Sequence, residues 1–226
     1  MNARLTASLL ILAAVLANVG FTALGSIFNY PDVLDEPAGQ VLAAFRDDQG
    51  AVSAWFGVLA LAAALMGPIA VGVGRLSSHR AMRIAVRVGI AAAAVQVIGL
   101  LRWPILVPGY AADGNADAFR TASDILGTAI GETLGYFLTA AWTVVVIVAL
   151  GRRYAGRWFQ ALGGVSAALV VAGVLSPLGL PVIDSANFVG YVLWSGWLIA
   201  FAVVILVHER RRFTAPTSAS QSAVTA

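Results

Sequence analysis

The chain has 226 residues, 60% of them hydrophobic and 11% charged, and its mean hydropathy is +0.87. Soluble domains carry about a quarter charged residues, so composition excludes that class and places the chain in a bilayer. The absence of cysteine removes disulfides, thiolate nucleophiles and cysteine metal sites, and the formal net charge of +3 rests on 14 basic residues that are all arginine.

About 20 consecutive apolar residues cross the hydrocarbon core as a helix. Six such runs occur, at roughly 7–29, 52–74, 86–108, 125–150, 159–180 and 187–208. The expected fold is an all-α membrane protein: one bundle of six transmembrane helices over residues 1–213, followed by a disordered tail over 214–226 that is rich in Ser, Thr and Ala.

Span one opens after Arg4, and its apolar run is longer than a signal-peptide core, so it is expected to be retained. It contains one deep uncharged polar residue, Asn18. The loop that follows, NYPDVLDEPAGQVLAAFRDDQG, places Leu34, Val41, Leu42 and Phe45 at helical spacing after Asp35 and Pro37. That pattern predicts a short amphipathic helix lying on the membrane surface. Span two leads into GRLSSHRAMR, and span three carries Gln96 and then Arg102 in LLRWPILVPGY. The next loop, GYAADGNADAFRTASD, is rich in turn formers and suits a loop or a short helix.

Span four begins GTAIGETLGYFLTAAWT, in which Thr128, Glu132 and Tyr136 recur every four residues, with Thr139 and Thr143 beyond. This polar stripe should face protein or a cavity rather than lipid. In span six, Tyr191, Trp194 and Trp197 form an aromatic stripe, read as ordinary packing with Tyr191 near the interface. Pro104 and Pro181 stand at equal offsets from Gly74 and Gly151, a faint sign that spans two to three are repeated as spans four to five.

Eleven arginines lie in the N-terminus, the loops after spans two and four, and the tail; only Arg46 and Arg120 occupy the alternate loops. The positive-inside rule then puts both termini in the cytoplasm. It also explains the basic charge without nucleic acid. Arginine without lysine, among alanine-rich runs, fits a bacterial gene of high G+C content, and hence a bacterial plasma membrane.

Arg102 is the exception, a charge inside a span. Counting from Arg87 at about 1.5 Å per residue places it roughly 8 Å below the outer surface of a core about 30 Å thick. The same ruler along span four puts Glu132 about 12 Å deep. Each charge alone costs something like 2.5–3.5 kcal/mol on insertion scales, so the two are expected to face each other as an intramembrane ion pair. The competing reading of Arg102 is that the prolines end the helix early and the side chain snorkels to the headgroups.

Other chemistry-bearing residues suggest less. His79 and His208 fall at cytoplasmic span ends and read as solvated interface groups rather than haem or metal ligands. The acids of the two outer loops lack calcium-loop spacing and read as solvated faces. No phosphate loop, nucleophile elbow, zinc motif or dinucleotide fingerprint occurs, so no metal and no cofactor is expected.

Together, FNYPDVLDEPAGQVLAAF, LLRWPILVP, GETLGYFLTAAWT, RWFQALGGVSAALVVAGVLSPLGL and YVLWSGWLIAF resemble the bacterial membrane proteins grouped as domain of unknown function 4386, from Ala14 to Ala202. The resemblance implies a small multi-span bundle and no particular reaction. Three functional readings follow from the residues. The first is binding of a lipid or small amphiphile, or assistance to a partner, through an outer-half polar pocket of Arg102, Glu132, Tyr136, Thr128, Gln96 and Asn18. The second is an intramembrane cyclase or isomerase of isoprenoid-like substrates with Glu132 as general acid, ranked lower because a guanidinium beside Glu132 favours its carboxylate form. A small transporter is the third.

Overall fold

A computed structural model describes residues 2–214, and every regular element among them is helical. The expected tail from residue 215 onward lies outside the described residues. Six helical paths are long and apolar enough to cross a membrane: Ala3–Phe28, Gln49–Gly74, Arg80–Asp113, Ala116–Leu150, Arg152–Leu178 and Val182–Arg211. Each contains one of the expected spans or all but its last residues.

Span one is α1 (Ala3–Phe28). The Asn2 side chain caps its start by accepting from the Leu5 N–H at 2.8 Å, and Asn29, at φ 50°, closes its end in the left-handed conformation that asparagine tolerates. A cis Tyr30–Pro31 peptide and a short 3₁₀ turn (Asp32–Asp35) follow, then α2 (Ala38–Asp47). The predicted periodicity holds for Val41, Leu42 and Phe45, which are buried, while Leu34 falls outside α2, in the preceding 3₁₀ turn, and is partly buried. Their cover differs from the expectation of a surface-lying helix: they pack onto Trp103, Val107, Ala111 and Phe119, so α2 is a cap on the bundle. Arg46 fastens it, donating from Nη1 to the Ala111 carbonyl at 3.1 Å.

Span two is α3 (Gln49–Ala64) and α4 (Met66–Gly74), joined at Leu65. Span three is α5 (Arg80–Ile105), capped by the His79 ring Nδ1 accepting from the Ala81 N–H at 3.2 Å. The prolines do not end this span early. Pro104 sits in the last turn of α5, and after a one-residue break at Leu106 the path resumes as α6 (Val107–Asp113), with Pro108 in its first turn where no N–H is required. The second loop forms α7 (Ala116–Ala122), which leads into a π-helical segment (Ser123–Leu134) and then α8 (Gly135–Leu150). Span five is α9 (Arg152–Ala172), kinked at Gly156 with φ 84°, plus a 3₁₀ turn (Gly173–Leu178). Span six is α10 (Pro181–Thr214). The equal proline offsets mark no repeat: Pro104 lies inside a helix end, whereas Pro181 opens a helix.

The six spans close a ring. α1 packs on α3 and α10, α10 on α9, α9 on α8, α8 on α5, and α5 on α3 and α4. Two apolar clusters fill it. At the end that holds residues 2 and 214, Trp142, Trp194, Trp197, Phe159 and Phe201 pack with Leu10 and Ile69. At the α2 end, Trp103 lies at the centre of Phe28, Phe45, Phe56 and Phe119, stacked on Phe56 with ring centroids 4.6 Å apart. The tryptophan stripe of span six is thus core, as its packing reading predicts.

Candidate functional site

Between the two apolar clusters lies a polar belt, positioned by a glycine seam. Gly127, Gly131 and Gly135 recur every four residues on span four and press against α5. A Cβ on Gly131 would lie 3.0 Å from the Gly99 Cα, and one on Gly135 would lie 3.0 Å from the Gln96 Cγ. A Cβ on Gly127 would come within 2.7 Å of Arg102 Nη2, 2.8 Å of its Cζ and 3.2 Å of its Nε. Glycine therefore makes the space in which the guanidinium lies against the backbone of the neighbouring helix, the close approach that small residues permit in membrane bundles.

Arg102 is 6% exposed, so it does not snorkel to a surface. Its Nη1 donates to the Gly99 carbonyl at 2.6 Å, and its Cζ stands 5.4 Å from the Trp103 ring centroid. Its Nε is buried with no hydrogen-bond partner. Glu132 is half-buried and within electrostatic reach of Arg102. The expected direct ion pair does not form, because the two side chains make no salt bridge. Glu132 sits in the π-segment, and the guanidinium lies against the backbone of that same segment at Gly127 instead.

The other expected residues divide. Tyr136 belongs to the centre, in electrostatic reach of Glu132 and edge-on to Tyr191 at 5.7 Å. Gln96 lies one layer away, its Nε2 donating to Thr139 Oγ1 at 2.7 Å. From Thr139 the polar contacts run on, with Thr143 Oγ1 donating to the Thr139 carbonyl at 2.9 Å and Trp194 Nε1 donating to Thr143 Oγ1 at 2.8 Å. Thr128 is half-buried and makes no side-chain hydrogen bond among the described residues. Asn18 is exposed and donates to the Ala14 carbonyl of its own helix at 2.7 Å, so it is not brought to the centre.

Three residues join that sequence reasoning missed. Tyr30, just past the end of α1, is in electrostatic reach of Arg102 and Glu132; burial pushes its phenol well above the usual range, with Glu132 reinforcing and Arg102 opposing that shift. Asp184, in the first turn of α10, is exposed and within electrostatic reach of Glu132 and Tyr136. Tyr191, read from the sequence as packing, stands edge-on to Tyr136 at 5.7 Å and to Trp194 at 6.1 Å. The seam itself had a signal, since GTAIGETLG contains two overlapping G-x-x-x-G spacings one residue out of phase with the polar stripe. Nothing local marked Tyr30, whose position depends on the turn at Asn29.

The histidines lie elsewhere. His79 caps α5, and His208 stacks on Tyr154 at 4.7 Å. No cluster of three or more His, Cys, Asp or Glu suited to a metal ion occurs among the described residues.

Fold and belt together define a multi-pass helical membrane bundle with a buried polar centre near one end. The chain belongs to the family described as Domain of unknown function (DUF4386), whose pattern matches residues 5–202. Searches of curated proteins and of solved structures returned no match.

Proposed function

We propose that the protein binds a lipid or small amphiphile at the Arg102 centre and does so without catalysis. The observation that carries this reading is the state of the guanidinium, which is buried, held by one carbonyl, unpartnered at Nε and out of contact with the nearest carboxylate. A buried charge lacking its counter-charge is strongly unfavourable, and an anionic head group would satisfy it with charge-assisted hydrogen bonds. With the arginine-rich end cytoplasmic, the centre lies in the outer half of a plasma membrane. Apolar clusters lie on either side of the centre, one under α2 and one around the tryptophans of span six, and these favour a ligand that arrives from the lipid.

The test is native mass spectrometry of the purified protein, with extraction of whatever copurifies. A reproducible amphiphile is expected in the native protein and absent from Arg102→Gln. An empty bundle, or one that captures only a protein partner, would sink this reading. A second reading, an intramembrane enzyme with Glu132 as general acid, draws on the absence of any hydrogen bond or ion pair to that carboxyl group. It predicts a chemically altered lipid whose formation stops in Glu132→Gln.

A further inference from the structure

The arginine-rich end carries a charge that its own segments do not balance. Eleven arginines occupy the N-terminus, the loops after spans two and four, and the tail, where Glu209 is the one acidic residue and already lies 3.5 Å from Arg4. Insertion topology accounts for the end these arginines occupy. It does not account for two of them lining one cleft.

That cleft, of about 350 Å³, lies at the turn between α4 and α5 and is lined by Ser77, Ser78, His79, Arg80 and Arg83, with Gly74 and Val86 on its apolar side. Its size falls at the lower end of small-ligand sites. The two helices meet closely there, since a Cβ on Gly74 would collide with Val86 Cγ2. Two backbone donors of the turn are engaged within the chain, His79 N–H donating to Ser77 Oγ at 3.2 Å and Ala81 N–H to His79 Nδ1 at 3.2 Å. The guanidinium donors are not. Arg80 and Arg83, three residues apart and so on one face of α5, are exposed and make no ion pair or hydrogen bond among the described residues. Like charges at that spacing repel, and an anion between them relieves the repulsion.

The lining also continues toward the hydrocarbon. Val71, three residues before Gly74, and Ile90, four after Val86, share the helix faces of those two residues, and both are exposed large apolar side chains. A molecule with its head group in the cleft can lay acyl chains on them.

We propose that this cleft binds the phosphate of an anionic phospholipid, with Arg80 and Arg83 as its guanidinium forks and the Ser77 and Ser78 hydroxyls as further donors. Planar forks match phosphate oxygens with paired, charge-assisted hydrogen bonds. The site is separate from the Arg102 centre at the other end of α5, and it stands whatever that centre binds.

The test extracts the full chain from nanodiscs of equal parts phosphatidylglycerol and phosphatidylcholine and counts the retained lipids by native mass spectrometry. An arginine beside an anionic lipid is worth a factor of about five, so Arg80→Gln with Arg83→Gln should lower the preference for phosphatidylglycerol by on the order of twentyfold. Arg152→Gln with Arg153→Gln, exposed residues at the same end on α9, should change it by no more than about twofold. Arg80→Lys with Arg83→Lys keeps the charges that set topology but loses the forks; it should give a partial loss, and it serves if the glutamine pair does not insert. A lipid held at Arg102 is common to all these variants and cancels from the comparison. In a second arm, inorganic phosphate is added to the chain in phosphatidylcholine nanodiscs and thermal unfolding is followed. A phosphate-dependent rise in Tm without any phosphatidylglycerol preference overturns the lipid source and assigns the cleft to free phosphate. A preference that survives the glutamine pair, equal losses from the two arginine pairs, full retention in the lysine pair, or no response in either arm overturns the site.

Discussion

Trp103 and Arg102 are adjacent in sequence, and together they show how one helix end can serve packing and charge at once. The Trp103 indole is wholly buried in a cage of four phenylalanines, so Trp103→Ala should lower stability by about 3–5 kcal/mol, measured by unfolding in detergent. Asn18→Ala should change stability by no more than about 0.5 kcal/mol, because the side chain is exposed and bonds only its own helix. It should also leave lipid retention unaltered; a loss of retention would return Asn18 to the site. The sequence made Arg102 conspicuous because a charge in a span is costly wherever it points. Its surroundings were less legible, since depth counting supplies one coordinate and the rotation of each helix supplies another.

At the scale of elements, the decisive piece is the π-segment with its glycines. Gly131→Ala forces a Cβ against the Gly99 backbone and should cost about 1–3 kcal/mol through overpacking. Gly164→Ala, where a Cβ meets nothing within 4 Å, serves as the control and should be neutral or slightly stabilising. Equal losses at both positions would mean that the seam has no special role. Hydropathy made all six spans legible, because a bilayer imposes length and apolarity on every crossing segment. Helical spacing likewise revealed α2, whose three inward residues are buried. Two things escaped. The cover over α2 comes from α5, α6 and α7, which no local pattern announces. The widened turns of span four leave a periodicity too close to that of an α-helix to be read from composition, and depth counting alone did not show that Arg102 and Glu132 make no salt bridge.

For the whole molecule, the arginine distribution makes a prediction about sidedness that the lack of cysteine renders easy to test. Gly39 and Ser78 are exposed at opposite ends of the bundle. In intact cells a membrane-impermeant maleimide should react with Gly39→Cys, and with Ser78→Cys only after permeabilisation. The reverse pattern would place Arg102 in the inner half of the bilayer. Closure of the ring is marked at the arginine-rich end by Arg4 Nε, 3.5 Å from Glu209 Oε2. That pair is largely solvated, with Arg4 73% exposed, so its value lies in what it reports about position more than in energy. It makes the first and last spans neighbours, so their order along the chain is cyclic in space. A short linker joining residues 4 and 209, with the backbone opened between Ser77 and His79 on the same side of the membrane, should therefore yield a circular permutant with the same ring and the same polar centre.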